Sequence, residues 1–372
     1  MAQSCFRSLG HFARVAVASL AILFASGTQA QGGQALLGIY YGNQGWDMAQ
    51  VRAMENWQKK SHAVVVLFTD WCNSSQSLDN LFKQQLPNIW ANGNVPVITW
   101  EPYLCSPNAT PSDVMARAAR GEYDAYVEAW ANRLKAFVSG PDGALGTADD
   151  RRVYIRLAHE MNGNWYPWSA PVGGTSASYV TMWQRVRTLF STKGFSASTV
   201  QWIWTVNHED VGSVRAEDYY PGDAYVDWIG IDGYNWGSSQ SWSSWRAPNQ
   251  VFGTMIGRLR GITAKPLAIT ETAASTAMPG KVDVNAKSSW ISQLFEYATN
   301  AAGARMIVWF NEDKETDWAV FGGKNGEETY RSGRTTYKAY RSYRAVVQSD
   351  SLIPSSPKDV RLISDTRFAG GW

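Results

Sequence analysis

Eight short apolar runs, rich in β-branched and aromatic residues, recur along the chain with room for helices between most of them. These runs are Leu36–Tyr41, Ala63–Asp70, Val95–Tyr103, Val153–Glu160, Val200–Asn207, Val226–Tyr234, Pro266–Glu271 and Arg305–Asn311. Segments between them place apolar residues at i, i+3 and i+4, as in Tyr123–Phe137, Tyr179–Phe190 and Ser288–Thr299. Alternating strands and helices predict a parallel sheet with crossover helices. Eight strands within one composition regime predict the α/β class and, within it, a closed (β/α)8 TIM barrel.

The same pattern limits the domain organisation. An open dinucleotide-binding sheet would need a glycine fingerprint after its first strand, and residues 42–45 do not supply one. We expect a single barrel domain over residues 31–347 that ends in a helix at about Tyr330–Val346. Residues 348–372, which contain two prolines and a glycine-rich end, are expected to form a poorly ordered C-terminal tail.

Residues 1–30 have the features of a secretory signal peptide. Arg7 and Arg14 give a positive start, Val15–Ala25 is apolar but too short to span a bilayer, and residues 28–30 offer a small-residue cleavage site. An uncleaved anchor helix is the alternative. We expect a secreted or periplasmic monomer that does not contact the membrane after cleavage.

Charge narrows the class of partner. Loss of residues 1–30 removes two arginines and no acidic residue, which leaves 32 basic and 32 acidic residues. A neutral chain without charge runs argues against nucleic acid or an anionic membrane as the partner. The 19 Trp and 17 Tyr suit a neutral partner with flat apolar faces, such as a sugar, although some of them must form ordinary core.

Polar residues occupy the C-terminal ends of the predicted strands, where barrels of this type build their active sites. They are Asp70, Glu101, His159, Glu160, Asn207, His208, Asp232, Glu271 and Asn311. Hydrolysis of a glycosidic bond with retention needs two carboxyl groups about 5–5.5 Å apart, one protonated and one ionised. Glu160 and Glu271 can meet across the barrel mouth. Because side chains alternate along a strand, Arg156 should share the inner face with Glu160 and keep a neighbouring carboxylate ionised. The alternative is that either glutamate is a solvated loop residue.

One segment resembles the acid/base motif of glycoside hydrolase family 26, the β-mannanase family of clan A. It reads His159-Glu160-Met161-Asn162-Gly163-Asn164-Trp165-Tyr166-Pro167-Trp168 and matches the pattern H-E-M-N-G-x-W-x-x-W. Further segments match in order: Thr99–Pro102, Trp204–Asn207, Tyr220–Asp223, Asp227–Tyr234, Glu271 and Trp309–Asn311. The resemblance covers roughly residues 36–345.

The resemblance implies roles for the residues at the reacting bond. Glu160 would protonate the leaving oxygen, and Glu271 would attack the anomeric carbon. Arg156 and Tyr234 would contact the nucleophile. The hydroxyl of Tyr234 can donate a hydrogen bond to the carboxylate before attack.

It also implies contacts with the sugar. His159 would bind near the cleaved sugar, Trp309 would be the aromatic platform under it, and Trp165 would stack on the leaving-group side. For each tryptophan, core packing is the alternative.

Four further polar residues lie at the predicted barrel mouth. Glu101 and Asp232 either bind sugar hydroxyls or hold Arg156 in place. Asn207 has the same two possible roles, and His208 is the better candidate for a sugar contact.

Cys72 and Cys105 directly follow the second and third predicted strands. Neighbouring parallel strands lie about 4.8 Å apart, so the two thiols can meet at one rim. An exported pair of this kind predicts a disulfide, with free thiols as the alternative.

The loop at residues 141–150 holds Asp142, Asp149 and Asp150 around two glycines. Oxygen-rich loops can bind Ca²⁺, but the spacing is not that of an EF-hand and a plain turn is the alternative. We expect no required cofactor, a structural Ca²⁺ at most, and no zinc site, because the three histidines after residue 30 lie on different strands.

Together these features predict a retaining, endo-acting hydrolase of β-1,4-mannosidic bonds in a neutral β-linked polysaccharide. A relative acting on mixed-linkage β-glucan, β-xylan or an exopolysaccharide is the alternative within the family. A non-catalytic carbohydrate-binding barrel would be expected to lack one of the two glutamates, and a metal-dependent deacetylase would need more histidines.

Overall fold

The computed structural model describes residues 33–72 and 74–372, so the predicted signal peptide lies outside the described residues. The strands of this part of the chain are Ala35–Tyr40 (β1), Val64–Asp70 (β2), Val95–Glu101 (β3), Val153–Leu157 (β4), Val200–Asn207 (β5), Trp228–Asn235 (β6), Leu267–Ala274 (β7), Ala277–Met278 (β8), Lys281–Val282 (β9), Ala304–Phe310 (β10), Glu328–Ser332 (β11), Thr335–Ala339 (β12) and Leu352–Ile353 (β13).

Eight parallel strands close into a barrel. Strands β1 to β7 pair in sequence order, β10 pairs with β7, and β10 also pairs with β1 to complete the ring. All eight predicted strands are present, and their ends differ from the predicted ends by three residues at most. The predicted (β/α)8 TIM barrel is therefore confirmed.

Helices surround the barrel. They are Ala49–Gln58 (α1), Ser75–Asn80 (α2), Leu86–Ala91 (α3), Val114–Arg120 (α4), Asp124–Val138 (α5), Ser176–Ser191 (α6), Pro248–Arg260 (α7), Val284–Glu296 (α8), Arg341–Val347 (α9) and Asp365–Phe368 (α10). Helix α6 shows how sequence sets one of them: the Thr175 side chain accepts from the Ser178 amide in a capping box at its start. Its buried face is Tyr179, Met182, Trp183, Val186 and Phe190. The spacing of these residues places them on one side of the helix, toward the barrel.

Most tryptophans belong to the core rather than to a binding surface. Twelve of the 19 are fully buried: Trp57, Trp71, Trp100, Trp130, Trp168, Trp183, Trp202, Trp204, Trp228, Trp290, Trp309 and Trp318. Four are exposed by more than a third, namely Trp46, Trp165, Trp242 and Trp372. The abundance of aromatic residues therefore reflects core packing first, and only a few tryptophans can meet a ligand.

The C-terminal region differs from the prediction. Residues 328–339 form the antiparallel hairpin β11–β12, and the last predicted helix is reduced to α9. Residues 348–372 are not a loose tail, because β13 pairs with β1 and Phe368 of α10 is fully buried against Tyr154, with ring centroids 4.6 Å apart. The tail packs at the end of the barrel opposite to the polar strand ends. Among the described helices, none combines the length and apolarity needed to cross a bilayer.

Candidate active site

The chain leaves β4 along a backbone path that the sequence pattern does not predict. β4 ends at Leu157 and not at Glu160, because Ala158 and Glu160 both adopt left-handed conformations, with φ of 46° and 52°. Such a conformation costs a non-glycine residue about 1–3 kcal/mol and persists only where its surroundings enforce it. The expectation that Arg156 and Glu160 share one face of a regular strand is therefore wrong, because β4 ends between them.

Hydrogen bonds to neighbouring elements hold this strained turn. The amides of Ala158 and Glu160 donate to carbonyls on β3 and β5, each at 3.0 Å. The indole of Trp168 donates to the His159 carbonyl at 2.7 Å, and the hydroxyl of Tyr179 on α6 donates to the Ala158 carbonyl at 3.0 Å. Buried aromatic side chains thus fix the two residues that precede Glu160.

Glu160 is a buried carboxyl group with one close donor. It is 9% exposed, and the indole Nε1 of Trp165 donates to its Oε2 at 2.8 Å. Burial and the nearby charge of Glu271 raise the pKa of Glu160 to about 8, against the opposing effects of Trp165 and Arg156. Glu160 therefore carries a proton at neutral pH, as a general acid must.

A β-bulge aims Glu271 into the barrel. The register of β6 and β7 shifts between the pairs Ile231–Ile269 and Asp232–Glu271, which leaves Thr270 as the extra residue. The hydroxyl of Thr270 donates to Asp232 Oδ1 at 2.6 Å, and the carboxylate of Glu271 accepts from the buried guanidinium of Arg156. Strict alternation along β7 would place these two consecutive side chains on opposite faces, so the bulge is needed to bring both inside.

The carboxylate of Glu271 is held at both oxygens. Arg156 Nη2 donates to its Oε1, and the Tyr234 hydroxyl donates to its Oε2 at 2.6 Å. Arg156 also donates from Nη1 to Asp232 Oδ2 at 2.7 Å and from Nε to Thr99 Oγ1 at 2.9 Å. The contacts expected of Arg156 and Tyr234 are present, and of the two readings of Asp232 the structure shows the one in which it holds Arg156.

A cleft of about 670 Å³ opens above these groups. Of the predicted site residues, six line it: Glu160, Trp165, Asn207, His208, Tyr234 and Glu271. Arg156 and Asp232 are fully buried beneath it. Its remaining walls are aromatic, aliphatic and charged, from Phe68, Tyr166, Glu209, Val211, Trp236, Trp242, Phe310, Lys314, Glu315 and Trp318.

Trp309 is not the sugar platform that the resemblance implies. Its side chain is fully buried and packs against Trp290 of α8 and Tyr343 of α9, with centroids 6.2 and 5.8 Å away. It therefore points outward from β10 into the barrel–helix interface, and the core alternative is correct. The tryptophan that lines the cleft after β10 is Trp318, which packs beside Tyr234 at 5.0 Å.

Buried side chains of Trp309 and Lys287 hold the loop that carries Trp318 by hydrogen bonds to its backbone. Trp309 Nε1 donates to the Trp318 carbonyl at 3.1 Å, so Trp309 supports the loop that carries Trp318. The ammonium of Lys287 donates to the carbonyls of Asp317 and Ala319 on either side. Lys287 is completely buried, and burial lowers its pKa to about 8 despite the charge of Asp317. Sequence reasoning missed this lysine because its position on a helix face gives no sign of the loop it reaches.

His159 lies under the cleft rather than in it. The ring is 1% exposed, and its Nε2 is 3.0 Å from the hydroxyl of Tyr166, which does line the cleft. Burial and the charge of Arg156 hold the pKa of His159 well below its usual range, so the ring is neutral. Tyr166 stands in the recognised motif and could have been proposed from it.

Glu101 is the last residue of β3. Burial raises its pKa to about 7, although the charge of Arg156 opposes this. The donors of Arg156 go to Thr99, Asp232 and Glu271, so Glu101 does not hold the guanidinium directly.

The predicted disulfide is confirmed, and the acidic loop forms turns. Cys72 and Cys105 are bonded, which joins the loops after β2 and β3. In the loop, Asp149 accepts from the amide of Asp142 at 3.2 Å and Asp150 accepts from the Gly146 amide at 2.8 Å. Calcium binding there stays a prediction.

In the described residues, one group of three metal-ligating side chains has atoms within 4.8 Å, namely His159, Asp232 and Glu271. The guanidinium of Arg156 forms ion pairs with both of these carboxylates, so their negative charge is already balanced in part by a cation of the protein.

A (β/α)8 barrel with two carboxyl groups in an aromatic cleft at its C-terminal face is the architecture of a glycoside hydrolase. Comparison with known proteins gives the family: the model described as glycosyl hydrolase family 26 matches residues 28–278. The chain belongs to this family.

The chain is similar in sequence to proteins named as an endoglucanase and as mannan endo-1,4-beta-mannosidases. The chain is 30% identical to Endoglucanase H of Acetivibrio thermocellus over 79% of its own length and 30% of that protein. It is 25% identical to a mannan endo-1,4-beta-mannosidase of Bacillus subtilis over 44% of this chain and 46% of that one. The chain spans between 30% and 46% of the length of the relatives it matches.

The fold is similar to that of solved mannanases. The catalytic domain of an endo-beta-1,4-mannanase from Bacillus sp. JAMB-750 superposes with a TM-score of 0.61 at 18% identity, covering 88% of this chain and 90% of that one. A beta-mannanase from Bacteroides ovatus gives a TM-score of 0.57 at 20% identity, covering 89% and 94%.

Proposed function

We propose that this protein is a retaining, endo-acting glycoside hydrolase that cleaves internal β-1,4-mannosidic bonds of a neutral polysaccharide. The observation that carries the proposal is the unequal environment of two carboxyl groups in one cleft. Glu160 is buried with a pKa raised to about 8, whereas Glu271 accepts hydrogen bonds from Arg156 and Tyr234. One group is set up as an acid and the other as a nucleophile.

In the first step, a carboxylate oxygen of Glu271 bonds to the anomeric carbon while the bond to the leaving oxygen breaks. Glu160 gives its proton to that oxygen, so the departing sugar chain leaves as an alcohol. Arg156 and Tyr234 keep Glu271 oriented toward the anomeric carbon.

In the second step, Glu160 is a carboxylate and takes a proton from water. The water oxygen bonds to the anomeric carbon, and the ester bond to Glu271 breaks to regenerate its carboxylate. Two inversions give a product of unchanged anomeric configuration. The aromatic walls of Trp318 and Phe310 exclude other water from the reacting centre.

Two features support a long neutral substrate. Both Trp165 and Trp242 line the cleft while remaining 45% and 70% exposed, so sugars can extend past the reacting bond. Apart from the two reacting glutamates, the acidic residues of the cleft wall are paired with cations, Glu315 with Lys314 at 3.1 Å and Glu209 with Arg246 at 2.7 Å, which favours an uncharged ligand.

A mixed-linkage or other β-glucan is the second candidate. The relative with 30% identity over 79% of this chain is named an endoglucanase, whereas the mannosidase of Bacillus subtilis is 25% identical over 44%. Because this chain spans 30% of the endoglucanase, the name of that whole protein does not decide the substrate.

Release of reducing ends tests the proposal. The purified protein is incubated with mannan, glucomannan, mixed-linkage glucan, xylan and laminarin, and product sizes are followed with time. We expect rapid shortening of mannan to mixed oligosaccharides, loss of this activity in Glu271→Ala, and its retention in Glu128→Ala, whose side chain is exposed on α5. Equal activity of Glu271→Ala and the wild type would reject the nucleophile. Cleavage of mixed-linkage glucan without cleavage of mannan would select the second candidate.

A further inference from the structure

A row of aromatic side chains leads from the nucleophile to the surface of the barrel. Tyr234, which donates to Glu271, packs against Trp318 at 5.0 Å, and Trp318 packs edge-on against Trp236 at 4.7 Å. Trp236 in turn lies 5.2 Å from Trp242. Among the three tryptophans exposure rises outward: Trp318 is 1% exposed, Trp236 is half-buried and Trp242 is 70% exposed.

The outer end of this row faces a second cavity. This cavity has a volume of about 460 Å³ and includes Trp236, Trp242, Trp245 and Arg246 in its lining. It shares His208, Glu209, Tyr234, Trp236 and Trp242 with the catalytic cleft. The two cavities therefore adjoin along these residues, so a polymer that lies over the reacting bond and extends past Trp236 and Trp242 would meet the second one.

The segment at residues 236–246 that carries Trp242 is closed at its base. The side-chain oxygen of Asn235 accepts from the amides of Gly237 at 3.3 Å and Arg246 at 3.0 Å. The hydroxyl of Ser243 donates to the Gly237 carbonyl at 2.8 Å, and Trp290 Nε1 donates to the Arg246 carbonyl at 2.8 Å.

The conformation at Gly237 also requires glycine. Its φ is 56°, and an added Cβ would lie 2.1 Å from the carbonyl oxygen of Ala277. A loop fixed at both ends in this way presents Trp242 without a large ordering cost on binding.

The polar groups of the second cavity suit sugar hydroxyls. Arg246 and Glu209 form an ion pair at 2.7 Å across the cavity wall, so the wall has no net charge from these two groups. Both side chains are partly exposed, at 32% and 57%, and can donate to or accept from hydroxyl groups. A flat aromatic face beside neutral polar groups matches a pyranose ring better than it matches a charged or purely apolar ligand.

We propose that Trp242, with Trp236 and the Glu209–Arg246 pair, forms a distal subsite that binds a further sugar unit of the same polysaccharide and so sets the preference for long chains. This inference rests on the proposed function for its ligand, a neutral β-linked sugar chain. It assigns a binding residue outside the reacting centre.

Binding of oligosaccharides of increasing length tests the subsite. The double variant Glu160→Gln/Glu271→Ala serves as the parent protein, because it binds without cleaving. Calorimetry measures association constants for β-1,4-manno-oligosaccharides and mixed-linkage gluco-oligosaccharides of two to six units. In the parent we expect affinity to rise beyond the length that fills the reacting centre. Trp242→Ala should lower the affinity for the six-unit sugar about tenfold, the effect of losing about 1.4 kcal/mol of stacking, and should change the two-unit sugar less than about twofold.

Two control variants separate stacking from folding. Trp242→Phe should retain part of the length-dependent gain, and Trp372→Ala, at the opposite end of the barrel, should retain all of it. Two results for Trp242→Ala would overturn the subsite: an equal loss of affinity for short and long sugars, or no change in affinity for either. The subsite is also overturned if the affinity of the parent does not rise with sugar length in either series of oligosaccharides. Reducing-end release by the wild type, measured alongside, reports on the proposed function separately. Cleavage of polymer with a length dependence that Trp242→Ala does not alter would reject the subsite alone.

Discussion

The Tyr234 hydroxyl donates a 2.6 Å hydrogen bond to one oxygen of Glu271, and the other oxygen is bound by Arg156. Tyr234 lies on β6 and Glu271 on the neighbouring β7, just after the bulge at Thr270. The bulge and the hydrogen bond act together, since the first brings the carboxylate to the inner face and the second fixes its rotation. The proposed nucleophile is thus positioned by its own strand and by the next one.

Loss of this hydrogen bond should weaken catalysis. In Tyr234→Phe one carboxylate oxygen loses its donor in a buried site, and we expect kcat/KM to fall about 10- to 100-fold, as for a hydrogen bond to a charged group. Initial rates of reducing-end release measure the effect. Tyr343→Phe is the matched control, because the Tyr343 hydroxyl is buried in the core and has no partner among the described residues. An equal loss in the two variants would show that packing, not the hydrogen bond, is responsible.

The raised pKa of Glu160 predicts the alkaline limit of activity. Glu160 must be protonated to act as an acid, so kcat/KM should fall as pH rises through about 8. The Trp165 hydrogen bond lowers the pKa of Glu160, because it favours the charged carboxylate. In Trp165→Phe the alkaline limb should therefore move to higher pH, whereas in Trp372→Phe it should stay in place. A shift of the limb to lower pH in Trp165→Phe would contradict this electrostatic role.

The same burial should destabilise the folded protein at neutral pH. The unfolded chain releases the Glu160 proton near the ordinary pKa of 4.5, whereas the folded protein keeps it up to about 8. Because the folded state binds more protons in this window, its stability falls as pH rises from about 4.5 to 8, by up to about 1.4 kcal/mol per pH unit. Glu160→Gln does not titrate and should gain stability relative to the wild type across this range.

Chemical denaturation at pH 5, 6, 7 and 8 measures this difference. The free energy of unfolding of Glu160→Gln minus that of the wild type should grow with pH, and the exposed control Glu128→Gln should show no such trend. Parallel curves for Glu160→Gln and the wild type would mean that Glu160 is ionised in the folded protein.

The barrel and the identity of its polar strand ends could be predicted because both follow from local sequence. Apolar runs rich in β-branched and aromatic residues predict the strands, amphipathic segments predict the helices, and the motif around Glu160 is contiguous. The geometry of the site could not be predicted, because it depends on departures from regular structure. The left-handed residues Ala158 and Glu160 and the bulge at Thr270 are imposed by hydrogen bonds to other strands.

Two errors have the same cause. Trp309 stands in a matched segment at a strand end, but only the tertiary fold shows that it points toward α8 and α9 while Trp318, nine residues later, reaches the cleft. The C-terminal residues have a loop-like composition, yet Phe368 fills the closed end of the barrel against Tyr154. The local sequence pattern shows neither the direction in which a side chain points nor the distant residues against which it packs.

The anomeric configuration of the first product tests the account most directly. Proton NMR, recorded before mutarotation, follows hydrolysis of a β-linked oligosaccharide by the wild-type enzyme. Double displacement through Glu271 with Glu160 as acid and base predicts that the β-anomer appears first and the α-anomer only later, as the product equilibrates. Initial appearance of the α-anomer would show a single displacement by water and would contradict Glu271 as the nucleophile and Glu160 as the base of a second step.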